Sequence, residues 1–280
     1  MSDIETTRLH RRSILLAGAS MLAATAFMSR PALAITPAEI KAKGKLVVGI
    51  QGDNPPWGFV NSSGKQEGFD ADIAELFGKE LGVAVEFVPL AVANRIPALT
   101  TGRVDILFAT MAMLPERAKV VQFSKPYVAN TMGLVAAKST LIKTNDDMGK
   151  FTIGVPRSSV QDTQVTKNAP SSTTIRRFDD DAATIQALVS GQVQAVGSNM
   201  FYIDRLNQAN PGTYETKLEF TRLYNGACTR QGEKELNAAV NAFIEKIRGN
   251  GDLARITETW MKQAPAQFPT SVEGVPFDAS

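Results

Sequence analysis

IPALTTGRVDILFATMAMLPER, residues 96–117, reads as the end of a helix, a strand, and a loop that carries an arginine. Ile96, Leu99 and Thr100 share a helical face, Gly102 suits the left-handed turn at which a helix stops, and Val104–Ala109 is a short apolar strand. The strand runs out into Thr110, then small residues, then Pro115 at a first helical position with Glu116 and Arg117 behind it. Free backbone N–H groups at a strand tip, with a guanidinium close by, suit an anionic ligand such as a carboxylate. A salt bridge from Arg117 to Glu116 is the plain structural alternative.

The pattern occurs twice. Ile185, Ala187, Leu188, Gly191 and Val193 repeat Ile96, Ala98, Leu99, Gly102 and Val104 at a constant offset of 89, which sets Asn199 at the place of Thr110. Two such helix–strand units predict two similar α/β lobes whose strand tips face one another.

Upstream, residues 1–34 read as an export signal rather than part of the fold. Arg11-Arg12 precede an uncharged run, Ile14–Phe27, and Pro31-Ala32-Leu33-Ala34 offers a small-x-small cleavage site after Ala34. The paired arginines with Ser13, Ile14 and Leu15 resemble a twin-arginine signal. The run is short for a membrane span, and no later segment has the length of one, so the expectation is an exported, periplasmic protein. The signal's four arginines and two acids, taken from 30 basic and 28 acidic residues, leave 26 of each. A neutral mature chain gives no electrostatic reason to bind nucleic acid or an anionic membrane surface.

The signal also contains the sole histidine, His10. The remaining 246 residues have no His and a single Cys, which excludes histidine general acid–base catalysis, a Ser-His-Asp triad and the usual zinc sites. Neither a cofactor nor a metal is expected. Cys228, in the apolar stretch Gly226–Thr229, reads as a small buried side chain in a strand.

Along the chain, Lys45–Ile50 reads as a buried strand after a short helix at 37–42. The loop QGDNPPWGF, 51–59, is expected to expose Asn54 and Trp57 beyond the strand tip. Phe69–Leu81 is an amphipathic helix and Val83–Pro89 a second strand. Strands at 120–123 and 132–137 follow. Phe151–Val155 then restarts the pattern, with Ser158-Ser159 leading into a helix near 161–166. Thr174–Phe178 is the next strand, and Asp179-Asp180-Asp181 reads as the acidic N-terminus of a helix over 182–190 rather than a calcium loop. Phe220–Thr229 carries the chain back, helices at 234–248 and 253–263 close it, and 264–280, with three prolines, is expected to be a loose tail. Alternating strands and helices argue mostly parallel sheets flanked by helices, with ligands outside the strands' carboxyl ends, near Asn54, Thr110, Ser159 and Asn199. The boundaries expected are signal 1–34, first lobe 35–131, second lobe 132–221, first lobe again 222–263, and tail 264–280. Two extended crossings join the lobes as a hinge.

Val48-Gly49 with Pro55-Pro56-Trp57, Gly68-Phe69-Asp70-Ala71-Asp72, Ile96–Leu99, Asp105, Pro115-Glu116-Arg117, Phe123–Tyr127, Gly154-Val155, Leu188, Gly191, Gly251-Asp252-Leu253, Ile256 and Trp260 together resemble the family 3 bacterial extracellular solute-binding proteins, over 44–261. The resemblance implies a two-lobed type II periplasmic-binding fold that closes on a small-molecule ligand and docks, as a monomer, on the permease of an amino-acid ABC transporter. By position, Arg117 resembles the arginine that grips the ligand's α-carboxylate, with Thr110 and the backbone at Ala112 as helpers and Ser159 offering second-lobe donors. Asn54 stands where many members place an aromatic lid, which leaves Trp57 or Phe69 to serve instead. Arg95, 22 residues before Arg117, resembles the acidic-amino-acid branch, in which that arginine takes a side-chain carboxylate.

Two departures from the family's pattern stand out. Ala112 replaces a Ser or Thr. Asn199 replaces the aspartate that pairs with the ligand's ammonium, and a neutral amide is worth roughly 1 kcal/mol less there than a charged partner. A ligand without a free primary amine is therefore one expectation beside aspartate or glutamate. The competing expectation is a dehydratase of the prephenate or arogenate class, with Asp70 or Glu116 as its acid.

Overall fold

The computed structural model describes residues 34–279, so the expected export signal and cleavage site, but for Ala34, lie outside the described residues. Thr36 opens the fold with a reciprocal cap: its hydroxyl accepts from Glu39 N, and the Glu39 carboxylate accepts from Thr36 N. In chain order the elements are α1 (Pro37–Lys43), β1 (Lys45–Ile50), β2 (Asp53–Asn54), β3 (Gly58–Val60), β4 (Gln66–Glu67), α2 (Phe69–Leu81), β5 (Ala84–Pro89), α3 (Val92–Thr100), β6 (Ile106–Leu107), α4 (Pro115–Ala118) and β7 (Val121–Ala137). They continue with a 3₁₀ turn (Asp146–Lys150), β8 (Thr152–Pro156), α5 (Val160–Asn168), β9 (Thr174–Phe178), α6 (Asp181–Val189), β10 (Ala195–Asn199), α7 (Tyr202–Ala209), β11 (Tyr214–Arg230), α8 (Lys234–Gly249) and α9 (Asp252–Met261).

One sheet of eight strands runs through both lobes in the order β5-β1-β6-β11-β7-β10-β8-β9. At one end β5, β1 and β6 are parallel; at the other β10, β8 and β9 are parallel. Between them lie β7 and β11, paired antiparallel and 17 residues each. What the sequence divides into short strands at 120–123 and 132–137 is one unbroken β7. Its register with β11 shifts at four places, from Thr216/Leu218 to Gly226/Cys228. Each bulge adds local twist and leaves backbone out of the ladder, so the pair can bend between the lobes.

The repeated unit folds alike in both copies. Helix α3 stops at Gly102 (φ 76°) before β6, and α6 stops at Gly191 (φ 75°) before β10. Both glycines have the left-handed backbone that an L side chain strains to adopt. Each lobe has its own core. The first is dominated by Trp57, Phe69, Phe77, Phe108, Tyr127 and Phe243, the second by Leu134, Ile153, Val155 and Val165 with Val196 and Tyr202 on the opposite face.

The structure corrects four expectations. The 51–59 loop is not an exposed excursion: β2 and β3 pair Asp53 with Phe59 and Asn54 with Gly58, folding the loop inward so that Trp57 is fully buried and Asn54 nearly so. The strand expected at 104–109 is reduced to Ile106-Leu107. Helix α7 occupies a region to which the sequence assigns no element. The C-terminal segment is not loose; Val275 is buried with Val272 and Phe277 packed beside it, Gln122 Nε2 donates to Pro276 O, and Asn241 Nδ2 donates to Phe277 O. Its prolines bar regular structure without barring packing, because apolar side chains and carbonyls still find partners on the first lobe.

Candidate functional site

The strand tips of both lobes converge on one small polar cavity of about 30 Å³. The residues around it include Gln51, Asn54, Arg95, Thr110 and Arg117 from the first lobe, Ser159, Gln161, Asp181 and Asn199 from the second, and Asn130 and Met132 from the crossing strand β7. Of the residues that the sequence singles out, Asn54, Arg95, Thr110, Arg117, Ser159 and Asn199 are brought together here.

Thr110 leaves the tip of β6 with a left-handed backbone, φ 48°, unusual for a β-branched residue. Asp70, in the first turn of α2, holds it there by accepting from Thr110 N at 2.8 Å, while Tyr127 donates to the other Asp70 oxygen at 2.8 Å. Burial pushes the Asp70 carboxyl up to about 6 against the pull of these donors. The turned-out Thr110 begins a chain of side chains that crosses between the lobes. Arg95 Nη1 donates to Ala109 O (2.7 Å) and Thr110 Oγ1 (3.0 Å), Thr110 Oγ1 donates to Gln51 Oε1 (2.9 Å), and Gln51 Nε2 donates to Asp181 Oδ2 (2.6 Å).

Two guanidiniums face this cavity. Arg95, 3% exposed, leaves Nε and Nη2 without a hydrogen-bond partner among the described residues. Burial pulls its pKa down, while Asp181, Asp53 and Asp70 hold it up. Arg117 makes only a long bond, Nη1 to Ala112 O at 3.5 Å, rather than the salt bridge to Glu116 that the sequence also allows. Burial, then repulsion from Arg95, pushes it down to about 10, which leaves it protonated at neutral pH. Arg95, buried, and Arg117, partly buried, thus place two cations on a cavity whose lining, among the described residues, holds a single carboxylate, Asp181.

On the second lobe Ser159 is the N-cap of α5; its hydroxyl accepts from Asp162 N at 3.0 Å and keeps its own proton for another acceptor. Asn199 Oδ1 accepts from Phe201 N at 2.9 Å. That contact uses one of the two lone pairs on the amide oxygen, so Asn199 keeps one acceptor site and its NH2 donors for a ligand, and carries no charge.

Other expected residues lie elsewhere. Trp57 and Phe69 do not line the cavity: they are fully buried, with ring centroids 6.0 Å apart edge to face, and Trp57 meets Phe201 at 5.4 Å. An aromatic lid over a ligand needs an accessible face, and both rings have theirs inside the first lobe's core. Ala112 sits beneath the cavity, packed with Met132 and Val160 where a hydroxyl would find mostly apolar neighbours.

Sequence reasoning missed Gln51 and, above all, Asp181. Asp180 caps α6 by accepting from Ala183 N, and Asp181 at the first helical position turns inward, 2% exposed. Its carboxylate accepts from Gln51, Asn54, Gln161 and the Tyr202 hydroxyl. Burial, and then the neighbouring Asp53 charge, push it up to about 6. Asp53, on the first lobe, accepts at Oδ2 from Asp181 N (2.8 Å) and Ala182 N (3.1 Å), capping a helix of the other lobe. Arg205 of α7 reaches back to Asn54 Oδ1 (2.9 Å) and Asp53 O (3.2 Å). The lobes are thus latched along one side of the cavity. The three-acid run before an apolar helix carried the signal; which of the three faces inward did not show in it.

Comparison with known proteins agrees with this architecture. Residues 46–263 match the model of the bacterial extracellular solute-binding proteins, family 3. The ABC transporter glutamine-binding protein GlnH of Bacillus subtilis (strain 168) is 29% identical over 259 residues, spanning 91% of this chain and 94% of the relative. The crystal structure of the solute receptors for L-cysteine of Neisseria gonorrhoeae superposes with a TM-score of 0.77 at 30% identity, covering 81% of this chain and 94% of that one. An ancestral amino acid-binding protein described as a precursor of cyclohexadienyl dehydratase superposes with a TM-score of 0.75 at 31% identity, covering 80% and 98%. The chain belongs to the bacterial extracellular solute-binding proteins, family 3.

Proposed function

We propose that the chain is the periplasmic substrate-binding component of an ABC importer for a polar amino acid or amino-acid-like carboxylate, with an acidic amino acid favoured. The observation that carries the reading is the pair of guanidiniums, Arg95 buried and Arg117 partly buried, on one cavity between two lobes. Arg117 takes the α-carboxylate with the Ser159 hydroxyl as a further donor, Thr110 helps by positioning Arg95, and Arg95, with two unpartnered nitrogens, takes a second anion. Ligand bridging the lobes adds contacts available only in the closed form, and the closed form is what the permease receives. The membrane permease is the macromolecular partner, the protein acts as a monomer, and the segment ending at Ala34 directs export and is removed.

The test is small-angle scattering with calorimetry on the mature protein. L-glutamate or L-aspartate should bind saturably and reduce the radius of gyration. Absence of ligand-induced closure with every amino acid, opine and organic acid tried would sink the proposal.

A dehydratase reading draws on the likeness to the dehydratase precursor. It requires an acid against the ligand, and neither Asp70 nor Glu116 is among the residues that line the cavity. Loss of water from prephenate or arogenate in the presence of the purified protein would establish it.

A further inference from the structure

The cavity has an imbalance that the two arginines do not resolve. It is lined by two cations and, among the described residues, by one anion, Asp181. A ligand with two carboxylates and one ammonium balances that set: each carboxylate meets a guanidinium, and the ammonium needs a carboxylate. The position at which the sequence comparison leads one to look for it, Asn199, does not qualify. One lone pair of its oxygen is already taken by Phe201 N, and the amide is neutral, so it supplies no negative charge to balance an ammonium.

We propose that Asp181 is the residue that receives the ligand's ammonium and so sets the cavity for an amino acid over the deaminated dicarboxylate of the same length. The inference rests on the proposed reading of the cavity as an acidic-amino-acid site. Three observations support it. Asp181 is buried at the cavity wall, and its nearest donors, Gln51, Asn54, Gln161 and Tyr202, are all neutral, so no cation lies in hydrogen-bond contact with it. Arg95, more than nine-tenths buried, presents unpartnered N–H groups to the same space, which marks it as built for a bound anion and not only for internal bonds. Asn130 likewise leaves a buried side-chain oxygen unpartnered at the wall, an acceptor for a second ammonium proton.

The charged and titratable groups facing Asp181 are Asp53 on β2, Arg95 on α3, and Tyr202 and Arg205 on α7. Desolvation and Asp53 raise the carboxyl to about 6; an ammonium placed against it offsets both. Binding of the amino acid should therefore weaken as pH falls through 6, because the acceptor must first lose its proton. Binding of a dicarboxylate should not weaken in the same way.

The experiment is calorimetric titration of wild type and Asp181→Asn with L-glutamate and L-aspartate, each beside its deaminated counterpart, glutarate and succinate, at pH 7.5 and pH 5. Wild type is expected to prefer one amino acid over its counterpart at pH 7.5, and Asp181→Asn to lose at least about 30-fold of that amino acid's affinity while the dicarboxylate changes less than about threefold. The ratio is the decisive readout. A variant that merely closes or folds less well weakens both ligands alike, and that result overturns the proposal, as does an unchanged preference. If wild type binds dicarboxylates and ignores amino acids, Asp181 is not the ammonium partner although the two-anion cavity stands. If wild type binds neither class, the reading of the cavity fails and this inference falls with it.

Discussion

Asp53→Ala removes a carboxylate that does not line the cavity yet joins the lobes, and so isolates closure from ligand contact. Asp53 Oδ2 accepts two backbone N–H groups at the start of α6, at 2.8 and 3.1 Å, and these donors otherwise belong to the unsatisfied first turn of the helix. Each such bond is worth about 1 kcal/mol net once water takes over in its absence, and a negative charge at a helix N-terminus about 0.3–1 kcal/mol more. One term opposes them: Asp53 destabilises the ionised Asp181 beside it, and the substitution relieves that repulsion. The balance is about 1.5–2 kcal/mol lost from the closed form, which is roughly 10- to 30-fold in the closed-to-open ratio. Where tight binding requires closure, the apparent Kd rises by that factor, and the change falls on ligand dissociation because the open form that admits ligand is untouched. Stopped-flow dissociation and scattering curves at saturating ligand measure both. A Kd and dissociation rate within twofold of wild type would refute the reasoning and make the Asp53 contact incidental.

Arg117→Ala should weaken any carboxylate ligand by at least about 100-fold, since it removes the cavity cation that pairs with the ligand's anion; calorimetric affinity within threefold of wild type would move the anion site elsewhere. Trp57→Ala should act on stability: loss of a fully buried indole packed on Phe69 and Phe201 costs about 3–5 kcal/mol and lowers the thermal midpoint by roughly 10 °C, with the cavity's charged residues in place. Asp181 is raised above its ordinary value in the folded protein, so the native state binds its proton more tightly than the unfolded chain, and this group's destabilisation grows as pH rises through about 4 to 6 and is complete by neutral pH. Asp181→Asn should accordingly gain thermal stability relative to wild type at pH 7.5 and gain less at pH 5; a pH-independent difference in ligand-free protein would contradict it. Deleting residues 270–280 strips Asn241 and Gln122 of carbonyl partners and uncovers the apolar groups beneath Val275, and should cost about 2–4 kcal/mol in chemical unfolding; an unchanged midpoint would restore the view of a loose tail.

The sequence is most informative where local chemistry and fold rules coincide. Arg117 follows a strand, a run of small residues and a proline, and any parallel α/β unit points such a loop at the ligand side of the sheet. The repeat at an offset of 89 then brings Asn199 opposite Thr110, and both line the cavity. The misjudged residues are those whose direction is decided by packing. Trp57 follows two prolines and reads as exposed loop, but pairing of Asp53-Asn54 with Gly58-Phe59 turns the loop back onto α2 and gives the indole a core to enter. In the run 179–181 the three identical side chains take three different fates: Asp179 faces solvent with Arg157 at 3.4 Å, Asp180 caps its own helix, and Asp181 enters the cavity. Composition cannot separate them, because the helical turn that begins at Asp181 decides which one points inward.

That last separation bears on how a scaffold of this kind changes ligand. A strand tip and a helix start on the same lobe both border the cavity, so a charge removed from one can be supplied from the other without moving the backbone. In this chain Asn199 has become a local cap for Phe201, while the carboxylate stands at the beginning of α6, tied to the first lobe through Gln51 and Asn54. The shift has a mechanical consequence. Asp181 takes hydrogen bonds from both lobes and lies beside the cap that Asp53 places on its own backbone N–H. On the proposed reading, charge recognition and closure therefore share one group. On that reading, a ligand that fails to neutralise Asp181 leaves a desolvated carboxylate at the junction of the lobes, raises the cost of closing, and is released; one that supplies the cation strengthens the junction that holds it.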